Sequence, residues 1–208
     1  MEKIVAGSDV GIKNSNIIEV NNLCFAYPEK NNNSSKVREY KNILNNISFT
    51  VKRNAIIGIA GRSGCGKTTL GKIITNYFKL SHLQYRKSGK IVYKNKNGKN
   101  YDLDLPALIN EYKISPIQMI FQEPRASLNM KMVLRKQLCE SISLRDKNIN
   151  NEEKENILYQ LSKELYIYDI LDKKPANISG GQRRRFGIAK VLSVNPDVIL
   201  ADEPVASL

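Results

Sequence analysis

Apolar positions along this chain follow two different rhythms. Ile17, Ile18, Val20 and Leu23 make Ile17 to Tyr27 a strand. The polar stretch from Glu29 to Tyr40 reads as a loop. Ile43 to Val51 follows as a second strand, so the pair predicts a hairpin with a long connection. Ala55 to Ala60 is a continuous apolar run broken only by Gly58, the pattern of a strand buried on both faces. Leu70, Ile73, Ile74 and Phe78 fall at helical spacing and predict a helix over Lys67 to Phe78. Lys90 to Lys94 and Tyr101 to Leu105 flank Asn97-Gly98, a tight-turn dipeptide, and predict a second hairpin. Ile117 to Phe121 reads as another buried strand. Helices follow, over Val133 to Leu144 and Asn151 to Tyr166; Asn150 and Glu153 have the spacing of a capping box. Pro175 interrupts, Gly181 to Val194 is helical, and Val198 to Ala201 is a last buried strand. The expected organisation is α/β: residues 1–121 a core with antiparallel hairpins, 122–178 an inserted helical subdomain, and 179–208 a return to the core.

The chain has 208 residues, 41% hydrophobic and 25% charged, enough for one globular domain with a subdomain. No apolar run approaches the roughly 18 residues of a membrane span, and Met1 to Gly11 lacks the pattern of a signal peptide. Cys24, Cys65 and Cys139 are odd in number and lack metal-site spacing, which suits free thiols in a reducing compartment. His82 is the single histidine and reads as an exposed loop residue. The net charge of +13 suits either a basic face or lysines spread over the surface. Lys94, Lys96 and Lys99 lie in a loop, and no basic stripe is interleaved with aromatics, so no nucleic-acid partner is expected.

Three segments carry candidate chemistry. Gly61-Arg62-Ser63-Gly64-Cys65-Gly66-Lys67-Thr68 fits the glycine-rich phosphate loop and lies between a strand and a helix. Its glycines allow a tight turn with N–H groups pointing inward, and the helix start adds its positive end. Lys67 then reaches the β- and γ-phosphates, and the Thr68 hydroxyl ligates magnesium. Val198 to Ala201 ends in Asp202-Glu203, two carboxylates suited to holding magnesium and to polarising a water; alone, this is an acidic turn after a strand. Ser179-Gly180-Gly181-Gln182 opens a helix as a small anion nest; its plain alternative is a flexible linker.

Asn177-Ile178-Ser179-Gly180-Gly181-Gln182 resembles the signature motif of the ABC ATPases, with Ile178 where leucine is usual. The resemblance runs from about Ile17 to Leu208. It implies a P-loop NTPase core of the ABC type, with an antiparallel β subdomain and an inserted helical subdomain. It implies ATP and Mg2+ as cofactors, and ATP contacts from Gly61 to Lys67, Thr68 and Thr69. Met119 to Pro124 looks like the family's Q-loop, so Gln122 would contact magnesium and water and sense a membrane partner. Asp202 would hold the metal with Thr68 and Gln122, and Glu203 would be catalytic with Gln122. Phe25-Ala26-Tyr27-Pro28 looks like the A-loop, so Tyr27 would stack on adenine; a hairpin aromatic is the rival reading. Two such domains would pair head to tail, with Ser179 to Gln182 of one closing over ATP held by the other. Further partners would be membrane permease subunits and, indirectly, a solute-binding protein, which places the chain on the cytoplasmic face of the membrane as a peripheral subunit. The stretches Gly61 to Lys67, Ser127-Leu128-Asn129 and Ala201 to Val205 look like the importers of peptides and nickel chelates.

The family pattern continues with a D-loop aspartate and a switch histidine, and this sequence stops at Leu208, before them. Weak ATP binding and little hydrolysis are therefore expected of this stretch alone, with an unpaired edge at Val198 to Ala201. Two alternatives stand beside the importer subunit: a non-catalytic fragment of such an ATPase, and a soluble ABC protein acting without a membrane partner.

Overall fold

A computed structural model describes residues 5–6, 15–29, 39–80, 83–104, 108, 111–112, 114–122, 128–146 and 148–203. They form two compact units, Met1–Glu111 and Tyr112–Leu208.

The first unit is built on a four-stranded antiparallel sheet. Strand β2 (Asn16–Glu29) pairs with β3 (Glu39–Lys52) on one side and with β5 (Arg86–Lys94) on the other. β5 turns at Asn97-Gly98 into β6 (Asn100–Asp102). Both expected hairpins form. The loop expected over Glu29 to Tyr40 lies mostly outside the described residues, and the strands reach in to Glu29 and Glu39. The Asn97-Gly98 turn is tied by Asn95, whose Oδ1 accepts from the N–H groups of Asn97 (3.0 Å) and Lys99 (2.9 Å).

The β2–β5 register slips between Asn21 and Cys24. Gly89 sits opposite the slip at φ 86°, where a Cβ would stand 2.4 Å from the Asn22 carbonyl oxygen. Only glycine fits so close a backbone approach. Asn22 takes the left-handed conformation itself (φ 49°), and its N–H donates to Ser48 Oγ at 2.8 Å. The sheet buries Ile18, Leu23, Phe25, Ile91 and Tyr93.

Two expectations for this unit need correction. The run Ala55 to Ala60 contributes only β4 (Ile57–Gly58), antiparallel to β1 (Val5–Ala6). Ile56 is 89% exposed and Ile59 38%. An apolar run is buried only where neighbours flank both faces, and β1 is the one strand paired with it among the described residues. The helix expected over Lys67 to Phe78 ends early: α1 is Lys67–Ile74. Thr75 Oγ1 donates back to Gly71 O (3.0 Å), Asn76 turns left-handed (φ 58°), and a 3-10 turn, Tyr77–Leu80, follows.

The second unit pairs two parallel strands, β7 (Ile117–Ile120) and β8 (Val198–Ala201), with Ile120 opposite Ala201. β8 is less buried than its apolar run predicts: Ile199 is 42% exposed, and β7 is its partner among the described residues. Helices α2 (Leu134–Arg145), α3 (Asn151–Glu164) and α4 (Gly180–Ser193) pack around a shared core of Leu134, Leu138, Ile142, Leu158 and Phe186. The α3 start is capped by Asn150, whose side chain accepts from Glu153 N–H at 2.8 Å. Tyr166 is already past the end of α3, in left-handed conformation (φ 53°). Buried Gln137 ties down the segment ahead of α2. Its Oε1 accepts from Asn129 N–H (3.0 Å), and its Nε2 donates to the carbonyls of Asn129 and Met132 (both 2.9 Å).

Candidate functional site

The glycine-rich loop ahead of α1 turns at Gly64 and Gly66. Cys65 N–H donates to Arg62 O (3.2 Å), closing a turn over Arg62, Ser63 and Gly64. Gly64 and Gly66 are left-handed, at φ 79° and 102°. Gly66 is also the N-cap of α1, and a Cβ there would meet Leu44 Cδ2 at 2.9 Å and Ile43 Cγ2 at 3.0 Å. Lys67, Thr68 and Thr69 thus form the first turn of α1. No acidic residue stands in that turn. The Lys67 ammonium donates to the carbonyls of Gly61 (2.7 Å) and Arg62 (3.0 Å), with Cys65 Sγ 3.9 Å away. Gly61 is half-buried, while Arg62, Ser63, Gly64, Cys65 and Thr68 are exposed. Glycine turn, lysine and acid-free helix start suit a polyphosphate.

Tyr27 lies near the end of β2, half-buried. It meets Phe25 edge-on, with centroids 4.9 Å apart, and Phe78 at 5.8 Å. These contacts belong to an aromatic cluster that Tyr85 extends by stacking on Phe25 at 5.3 Å. The structure thus gives Tyr27 the packing of a hairpin aromatic.

In the second unit the parallel pair delivers two side chains to one end. Asp202 N–H donates to Ile120 O (3.0 Å), continuing the ladder past β8. The residues just beyond the two strand ends meet there: Gln122 Nε2 donates to Glu203 Oε2 at 2.7 Å. Glu203 is left-handed (φ 47°) and exposed, and Asp202 is half-buried. The structure therefore brings Gln122 and Glu203 together, 81 residues apart in sequence.

Ser179 to Gln182 form a complete capping box at the start of α4. Ser179 Oγ accepts from Gln182 N–H (3.2 Å), and Gln182 Oε1 accepts from Ser179 N–H (2.9 Å). Gly180 and Gly181 are exposed, with open space where a Cβ would be. Arg183 Nη1 donates to the carbonyls of Pro175 (3.2 Å) and Ile178 (2.6 Å), fixing the approach to the helix. Buried Arg184 donates through Nη2 to the carbonyl oxygen of Glu203.

Sequence reasoning missed the capping box, although Ser-x-x-Gln is its spacing, and it missed Arg184, which no apolar rhythm marks. His82, Glu123, Pro124, Ser127, Pro204 and Val205, used for the finer sequence readings, lie outside the described residues.

Residues 44–206 match the family model described as ABC transporter. The chain is 33% identical over 196 residues to the dipeptide transport ATP-binding protein DppF of Haemophilus influenzae, covering 94% of this chain and 57% of that protein. It is 33% identical over 193 residues to the oligopeptide transport ATP-binding protein OppF of Streptococcus mutans, covering 92% of this chain and 58% of that protein. The chain thus spans little more than half the length of these relatives. Its fold is similar to that of the ATP-binding cassette MJ0796 in a dimeric post-hydrolysis state bound to ADP and Pi, with a TM-score of 0.69 at 24% identity, covering 92% of this chain and 75% of that one. It is also similar to cbiO1 from Clostridium perfringens, part of the ABC transporter complex cbiONQ, with a TM-score of 0.65 at 25% identity over 94% of this chain and 68% of that one. With most of its length matched by the family model, the chain belongs to the ABC transporter family and has the α/β fold of that family's ATPase core.

Proposed function

We propose that this chain is the ATP-binding subunit of an ABC importer that takes up di- or oligopeptides and drives uptake by hydrolysing ATP. The Gln122–Glu203 hydrogen bond carries the catalytic part of this reading: it sets a carboxylate and an amide together at the ends of two parallel strands. Peptides as the solute follow from the relatives' names; nickel chelates are the second solute class.

Each residue's role follows from its chemistry. Gly61 to Gly66 and the first-turn N–H groups of α1, including Thr69, bind the phosphates. Lys67 exchanges its bonds to the loop carbonyls for bonds to phosphate oxygens. The Thr68 hydroxyl, the Gln122 amide oxygen and the Asp202 carboxylate are hard oxygen donors that fit Mg2+. The metal, when bound, neutralises charge on the transferred phosphoryl group. The Glu203 carboxylate accepts a proton from water while Gln122 Nε2 holds it in place. Tyr27 stacks on adenine once its ring leaves part of the aromatic cluster. Gly180 and Gly181, with Ser179 and Gln182, receive the phosphate held by a second ATPase domain paired head to tail. In this reading the chain works at the cytoplasmic face of the membrane, against permease subunits that residues 122–178 contact, and indirectly with a solute-binding protein. Residues 1–121 and 179–208 form the nucleotide-binding core.

The test uses the full-length protein with its permease. Glu203→Gln is expected to keep ATP binding and to lower turnover by about 100-fold or more. Transport of a labelled dipeptide should disappear with it. Hydrolysis at the wild-type rate in the variant overturns the catalytic assignment, and uptake of a nickel chelate but no peptide overturns the solute.

A further inference from the structure

Arg184 sits in the first turns of α4, two residues beyond Gln182. Its side chain is buried, with 7% of the residue exposed, and its Nη2 donates to the backbone carbonyl of Glu203. A buried guanidinium needs hydrogen-bond acceptors, and the Glu203 carbonyl supplies one of them. The carbonyl it holds belongs to a residue in left-handed backbone, φ 47°, a conformation that persists in a non-glycine only when the surroundings fix it. The same residue's carboxylate accepts from Gln122 Nε2 at 2.7 Å. Glu203 is therefore gripped twice, by its carbonyl from α4 and by its carboxylate from the end of β7. The neighbouring Arg183 points elsewhere, to the carbonyls of Pro175 and Ile178.

We propose that Arg184 is a positioning residue that ties the orientation of Glu203 to the helix opened by Ser179 to Gln182. The inference rests on the function proposed above and deepens it. In a head-to-tail pair, the start of α4 meets the nucleotide of the partner, while Glu203 serves the nucleotide of its own chain. One hydrogen bond from α4 then lets phosphate capture at one site set the carboxylate at the other. The two sites of a pair are coupled through Arg184.

The full-length protein is assayed as wild type, Arg184→Lys, Arg184→Met, Glu203→Gln and the Arg184→Met/Glu203→Gln double variant. Arg184→Met is expected to lower kcat by about tenfold or more, with KM for ATP within about twofold of wild type. Arg184→Lys, which keeps a donor, should regain part of the loss. In the Glu203→Gln background the Met substitution should add nothing, because both act through one group. Amide exchange without nucleotide gives a readout independent of turnover. Arg184→Met should speed exchange across residues 198–203 by about tenfold and leave α2 and α3 unchanged, with Arg184→Lys in between. Equal slowing by Arg184→Met in both backgrounds, faster exchange spread over α2 and α3, or unchanged exchange at 198–203 overturns the proposal. A wild type that binds ATP and never hydrolyses it overturns the function proposed above, and the exchange pattern still decides what Arg184 holds.

Discussion

The helical core of the second unit and the short apolar strands draw on the same kinds of side chain with opposite results. Leu134, Leu138, Ile142 and Phe186 are fully buried. Ile56 and Ile59, which flank β4, and Ile199 in β8 are no less apolar, yet all three are exposed. A helix satisfies its own backbone, so the three helices can bury one face each against the others. A strand of two or four residues, such as β4 or β8, satisfies neither its edges nor its faces alone. Burial in the helical region is a property of the segment, while in the strands it depends on what lies alongside.

Substitutions can break or sharpen this contrast. Phe186→Ala removes the aromatic at the centre of the helical core and should cost about 3–5 kcal/mol, read as a lower urea midpoint of the helical signal. A loss below about 1 kcal/mol would mean that this core is loosely packed. The cysteines probe the contrast chemically. Cys65 is exposed in the glycine-rich loop ahead of α1, whereas burial pushes the Cys139 thiol above its ordinary range. Iodoacetamide should therefore modify Cys65 at least about tenfold faster, followed by mass spectrometry of the two peptides. Under the proposed function ATP should protect Cys65, and a Cys65 adduct should no longer bind ATP; normal binding by the adduct removes this residue from the phosphate site. Ser179→Ala breaks the capping box at α4 and should cost about 1 kcal/mol, with Ser179→Asp recovering most of it. Ile56→Ser should change stability by no more than about 0.5 kcal/mol in this stretch of chain. A larger loss in the full-length protein would show that Ile56 is covered there.

Local chemistry made much of this molecule legible. Asn97-Gly98 placed a hairpin, Asn150 capped α3, and Gly64 and Gly66 fell where the left-handed backbone needs them. The end of α1 was not legible, because Phe78 continues the helical spacing while the break comes from Asn76 and from the back-bonded Thr75. The exposure of Ile56 was hidden for a different reason: an apolar run records a tendency to be buried, and its neighbours come from distant parts of the chain. Gln122 and Glu203 were each readable from their motifs, but their bond depends on the parallel register of β7 and β8. Arg184 stands in a run of three arginines that looks like solvated charge, and only packing distinguishes it from Arg185.

Under the proposed function, the capping box at α4 bears on how a phosphate is captured and let go. Ser179 and Gln182 already satisfy one another, so under that function an arriving phosphate would displace existing bonds instead of filling empty ones. The net gain on capture is the difference between two sets of hydrogen bonds and is correspondingly small. Release is eased by the same exchange, since the helix end re-forms its own cap as the anion leaves. In the proposed head-to-tail pair, a closure built on such a swap would reverse as readily as it forms.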